Sequence, residues 1–66
     1  MTDSSQWMSV GEAVRVTRSG RTTITRWVDA GYVRRMKIRG RVVLRRSDVT
    51  ETERSVFDGE APMIRT

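Results

Sequence analysis

Apolar residues in the first half of the chain recur with a helical period. Val10, Ala13 and Val14 fall at i, i+3 and i+4, one buried stripe of a short helix that should end near Val16 or Thr17. Ser9-Val10-Gly11-Glu12 has the S-x-x-E form of a capping box, so Ser9 and Glu12 are expected each to satisfy a backbone N–H of the first turn. Trp7 precedes that box and occupies the region where an apolar staple packs. Ile24, Trp27 and Val28 form a second stripe, which predicts a helix over residues 21–30 with Trp27 in the core. Gly31 stands where a left-handed residue would end it. Between the helices, Thr17-Arg18-Ser19-Gly20 reads as a tight turn.

The period then changes from 3.6 to 2. Met36 and Ile38 alternate with Arg35, Lys37 and Arg39, and after Gly40, Val42 and Leu44 alternate with Arg41, Val43 and Arg45. Two alternating runs joined at Arg39 and Gly40 predict a β-hairpin. Its apolar face is expected to be Met36, Ile38, Val42 and Leu44, leaving Val43 exposed on a cationic face. A last short helix starts at Ser47, with Asp48 at its positive end. Val49 and Val56, with Phe57 as a further candidate, are the positions that would pack it. The expected fold is α+β, a small winged helix-turn-helix of two short helices, a hairpin wing and a C-terminal helix over residues 7–57. Residues 1–6, polar and without periodicity, are expected to be disordered, and residues 58–66 to form a flexible tail.

Composition narrows the chemistry. A 66-residue chain supports one domain, and it buries only about 60% of the surface its unfolded form exposes. Cysteine and histidine are both absent, which removes disulfides, thiolate metal sites, the commonest general base and the commonest zinc ligand. The carboxylates form no pattern of a hard-metal cage. These features argue against an enzyme and against a metal, a cofactor or a small-molecule ligand. The longest apolar run, Val42-Val43-Leu44, is far too short to span a membrane or act as a signal-peptide core, so a cytoplasmic location is expected.

Charge adds a direction. Residues 10–46 hold eleven cations against Glu12 and Asp29, a net +9, whereas residues 47–66 carry −3. Such a basic stretch is the footprint of a polyanion-binding surface. Twelve of the thirteen cations are arginine, suited to bidentate contact with phosphate or guanine, although arginine-rich usage also follows from a GC-rich genome. The polar face of the second helix offers Arg21, Thr22, Thr25 and Arg26 to base edges in a major groove. In the wing, Lys37, Arg39, Gly40 and Arg41 make a cationic tip suited to a narrow minor groove. Arg18, Arg34 and Arg35 are further candidates for backbone contact, and Val43 for contact with a protein. Taken singly, the helix face is equally a solvated surface and the wing tip a charged edge that blocks aggregation; the two together favour double-stranded DNA. Neither tryptophan suits base stacking, which weakens a single-strand reading.

In order along the chain stand Ser9-Val10-Gly11-Glu12-Ala13, then Arg21-Thr22-Thr23-Ile24-Thr25-Arg26, Gly31, Lys37-Ile38-Arg39-Gly40-Arg41, and Ser47-Asp48-Val49. Over residues 8–49 this ordered set resembles the excisionase family (recombination directionality factors) and its winged-helix relatives in the MerR superfamily. The turn departs from the family pattern of glycine, an apolar residue and serine, having Arg18-Ser19-Gly20 instead. The resemblance implies an architectural DNA-binding protein that associates with further copies of itself on DNA, bends an attachment site and steers an integrase toward excision. It leaves a small stand-alone MerR-like transcriptional regulator as the alternative. A protein-interaction or RNA-binding module is a lesser one.

Overall fold

The computed structural model describes residues 6–66, so the expected disorder of residues 1–6 lies, apart from Gln6, outside the described residues. Three helices and a three-stranded antiparallel sheet follow the order β1 (Trp7–Ser9), α1 (Val10–Thr17), α2 (Arg21–Asp29), β2 (Arg35–Ile38), β3 (Arg41–Arg45) and α3 (Arg46–Phe57). The architecture is a small α+β domain with a Cα radius of gyration of 11.2 Å.

Local chemistry sets the helix boundaries. The Ser9 hydroxyl accepts from the Glu12 N–H at 3.0 Å and opens α1. The other arm of the expected capping box goes elsewhere, because the Glu12 carboxylate accepts from Arg46 at 2.9 Å. At the end of α2, Gly31 takes a φ of 85°, its N–H donates to Val28, and the Tyr32 N–H donates to Trp27. This is the Schellman arrangement, which satisfies carbonyls that the helix leaves unpaired. Gly59, with a φ of 76°, ends α3 the same way through bonds from Gly59 to Val56 and from Glu60 to Ser55.

The sheet order is β1-β3-β2. Strand β1 has no counterpart in the sequence pattern, since three residues are too few to display a period of 2. It pairs Trp7 with Arg45, Met8 with Leu44 and Ser9 with Val43, covering the edge of β3 that the hairpin leaves open. Met8, only 2% exposed, is thereby the residue before the cap that enters the core, rather than Trp7. Trp7 lies half-buried beneath the Arg45 guanidinium, 5.5 Å from the ring centroid.

The hairpin forms where expected, with Arg39 and Gly40 at φ 51° and 78°, both left-handed as a type I′ turn requires. Its faces differ from expectation. A two-residue turn pairs Ile38 with Arg41 and Met36 with Val43, so each pair joins an even-numbered residue to an odd-numbered one. Directly paired residues share a face. Met36, Ile38, Arg41, Val43 and Arg45 therefore lie on one side, and Val42 and Leu44 on the other with Arg35 and Lys37. Leu44 is the one hairpin residue fully buried; Met36 and Ile38 are exposed, and Val43 is half-buried between Ser9 and Met36.

Met8, Ala13, Ile24, Trp27, Val33, Leu44 and Val49 form the core, with Val10, Val14, Val28 and Tyr32 packed against it. Helix α3 buries Asp48, Val49 and Thr52, whereas Val56 and Phe57 are exposed, Phe57 at 88%. The expected packing of α3 through Val56 and Phe57 is thus replaced by a stripe one turn earlier, at i, i+1 and i+4. The C-terminal segment also departs from the expected loose tail. It runs back to α2, where the Arg65 and Thr66 N–H groups donate to the Gly31 carbonyl at 2.6 and 3.2 Å.

Candidate nucleic-acid interface

The polar face of α2 is built from the turn upward. Thr17 closes α1 by donating its hydroxyl to the Ala13 carbonyl at 2.7 Å and accepting from the Ser19 N–H at 3.2 Å. Arg18 then takes the left-handed conformation, φ 57°. That is the position of glycine in the resembled pattern, while Gly20 stands at the N-cap with no side-chain bond to offer. Both departures are accommodated without moving the start of the helix, which is Arg21. With Ile24 and Trp27 turned inward, Arg21, Thr22, Thr25, Arg26 and Asp29 are all exposed. The uncapped amides at the start of α2 add a partial positive charge beside Arg21 and Thr22.

The hairpin residues Lys37, Arg39, Gly40 and Arg41 are exposed at and beside the turn. Four strand residues at about 3.3 Å each carry the tip some 13 Å from the start of β2. Three residues, Tyr32, Val33 and Arg34, link Gly31 to that start, and Val33 anchors the link by being 1% exposed.

Ion pairing divides the cations into two groups. Arg46 bonds Glu12 at 2.9 Å and the Trp7 carbonyl at 3.3 Å, holding α3, α1 and β1 together. Arg34 grips Asp48 through Nε–Oδ2 at 2.8 Å and Nη2–Oδ1 at 3.1 Å, and its backbone N–H donates to Oδ2 at 3.0 Å. Arg65 meets Asp48 at 3.2 Å and Glu51 at 2.6 Å. Arg34 is therefore a partner in the fold as well as a candidate contact. By contrast, Arg18, Arg21, Arg26, Arg35, Lys37, Arg39 and Arg41 are exposed and pair with no carboxylate among the described residues. The paired cations Arg34, Arg46 and Arg65 gather at α3; of the exposed cations that pair with no carboxylate among the described residues, all but Arg15 on α1 and Arg54 on α3 lie on α2, the turn before it and the hairpin.

Asp48, expected only to favour the start of the last helix, is 1% exposed. Desolvation pushes its pKa upward, but the hydrogen bonds and charge of Arg34, with the charge of Arg65, outweigh that and hold the carboxyl below its usual range. The hydrogen bond from Arg34 to Asp48, and the charge of that carboxylate, raise the Arg34 pKa in turn. Asp48 and Arg65 are not legible as a structural pair in the sequence, because seventeen positions separate them and neither is an apolar residue that a hydrophobic period would mark.

Among the described residues no group of three or more His, Cys, Asp or Glu side chains is placed to hold a metal ion, and no helix is long and apolar enough to cross a membrane. Comparison of the chain with protein-family models, with curated proteins and with solved structures gives no match.

Proposed function

We propose that this chain is a winged helix-turn-helix that binds double-stranded DNA, with α2 read into a major groove and the Arg39–Arg41 turn of the wing set against an adjacent minor groove. The observation that carries the reading is the segregation of charge. Of nine exposed cations that pair with no carboxylate among the described residues, seven lie on α2, its preceding turn and the hairpin, and only Arg15 on α1 and Arg54 on α3 lie elsewhere. Phosphate contact releases counterions, so duplex affinity should fall with salt at a logarithmic slope of roughly −5 if about six of these cations meet phosphates. A slope near zero would sink the DNA reading. Preference for single strands over duplex would move the case to an RNA or single-strand module.

Within that reading, an excisionase-like architectural role is the better supported of the two. One chain carries two exposed apolar patches of opposite charge. The outer sheet face presents Met36 and Ile38, with half-buried Val43, beside Arg41 and Arg45; the end of α3 presents Val56 and Phe57 beside Glu53, Arg54 and Asp58, a net −1. A patch on one copy that fits a different patch on the next gives a head-to-tail contact suited to neighbouring sites along DNA. Bent DNA lined with such copies would present an arm to an integrase without any catalytic group in this chain. Footprinting on a long natural site tests it, with phased, cooperative protection at intervals of about 10 bp expected. A single isolated site, or a stable two-fold dimer off DNA, would favour the transcriptional-regulator alternative.

A further inference from the structure

Two arginines flank the buried Asp48 carboxylate, and they are used differently. Arg65 is sealed in, its side chain 11% exposed. Its Nε lies 3.2 Å from Asp48, Nη1 donates to the Tyr32 and Met63 carbonyls at 2.8 and 3.0 Å, and Nη2 donates to Glu51 at 2.6 Å. Arg34 is 47% exposed; Nε and Nη2 lie on Asp48, while Nη1 has no partner among the described residues. One guanidinium is thus consumed by the fold, and the other is oriented from behind with an edge left open. Arg34 stands between α2 and the hairpin, which carry the other candidate contacts.

Arg34, Arg65, Asp48 and Glu51 together carry no net charge. Without Arg65 the same place would carry −1, directly behind the open edge of Arg34, and an approaching phosphate would meet that field. We infer that the C-terminal segment, residues 60–66, is a charge-setting strap: by seating Arg65 on Asp48 and Glu51 it leaves the open edge of Arg34 available to a DNA phosphate. Arg65 is then a positioning residue that acts through Arg34 and touches no DNA. This rests on the duplex-binding reading above and adds to it a dependence on a segment remote from the reading helix and the wing.

The experiment titrates a labelled duplex with the full chain across a salt series, at a temperature where circular dichroism shows each variant folded. The variants are Arg34→Gln, Arg65→Gln, Arg65→Lys and the double Arg34→Gln/Arg65→Gln. Arg34→Gln should weaken binding roughly tenfold and reduce the salt slope by about 0.9, the loss of one phosphate contact. Arg65→Gln should do nearly the same, and the double variant should be no worse than either single one. Arg65→Lys, which keeps the charge without the fork, should hold the wild-type slope. Wild-type affinity in Arg65→Gln, an Arg65→Gln loss that persists undiminished in the Arg34→Gln background, or a slope in Arg65→Lys as low as in Arg65→Gln would each overturn the strap while leaving duplex binding in place. Failure of the wild-type chain to bind duplex overturns both readings.

Discussion

Replacing Asp48 by asparagine keeps the size of the side chain and removes the charge on which two arginines converge. Asparagine offers one acceptor oxygen where the carboxylate offers two, and its amide N–H₂ would point at a guanidinium edge, donor against donor. Three hydrogen bonds from Arg34 and the ion pair to Arg65 depend on that carboxylate, which is 1% exposed. Removing one member of a buried pair costs about 3–5 kcal/mol. Because Arg34 is half-exposed and regains water, the expected loss is at the lower end, about 2–4 kcal/mol. A domain of this length has only about 3–10 kcal/mol of stability in total. Urea denaturation followed by tryptophan fluorescence, with Trp27 in the core as reporter, should move its midpoint down by roughly 2 M. The pH dependence follows from the lowered pKa of Asp48. A carboxyl whose folded pKa lies below its unfolded value of about 3.9 contributes fully above that value and loses its contribution as pH falls through the folded one. Wild-type stability should therefore drop below about pH 4 more steeply than that of Asp48→Asn. A variant within about 0.5 kcal/mol of wild type, or one with the same acid profile, would refute the clasp.

Thr52 is fully buried and its hydroxyl has no hydrogen-bond partner among the described residues, so Thr52→Val should stabilise by about 1 kcal/mol and raise Tm by roughly 4–8 °C; a fall in Tm would mean the hydroxyl is bonded. Gly31→Ala combines a left-handed φ with a Cβ placed 2.8 Å from the Thr66 hydroxyl, whereas Gly59→Ala has the φ alone and open space. Both should destabilise, Gly59→Ala by about 1 kcal/mol and Gly31→Ala by more, and equal losses in thermal melts would contradict the close approach of the C-terminal segment. On DNA, Arg26→Ala should cost about 1–3 kcal/mol and blur sequence preference, while Arg41→Ala should weaken binding most beside A·T-rich flanks. Identical profiles across a randomised duplex library would dissolve the distinction between reading helix and wing.

What was legible in the sequence is what short-range chemistry decides. Ser9 and Glu12 mark the start of α1, Gly31 the end of α2, and Arg39 with Gly40 the hairpin turn, because caps and tight turns involve residues four or fewer apart. The exposed face of α2 follows from the Ile24, Trp27 and Val28 stripe by geometry alone. Register was harder. Alternation shows that Met36 and Ile38 share a face, but which face of β3 they join depends on whether the turn holds an odd or even number of residues. Continuity of apolar residues groups Met36 and Ile38 with Val42 and Leu44, whereas the two-residue turn puts the two pairs on opposite faces. Distance in sequence concealed the rest. Strand β1 pairs with residues more than thirty positions away, Val33 is buried outside any periodic run, and Thr52 outranks Phe57 because the neighbours of α3, not its own hydropathy, decide which side is covered. Arg34 looked like one more surface cation until its partner on a distant helix was placed.

The pairing of β1 with β3 also orders events in time. Trp7 and Arg45 are neighbours across the sheet, so nearly all of α1, α2 and the hairpin lies inside the loop that their meeting closes. The hairpin joins strands across a two-residue turn and can form in about 1–10 μs, whereas β1 has nothing to pair with until β3 is in place. On a ribosome, which adds roughly 5–20 residues per second, Met8 emerges seconds before Leu44, its partner across the sheet. The first helices are thus made ahead of the strand that completes their core. Folding is consequently gated by the second half of the chain, and the arginine-rich hairpin, the segment richest in exposed charge, is also the template on which the N-terminus settles.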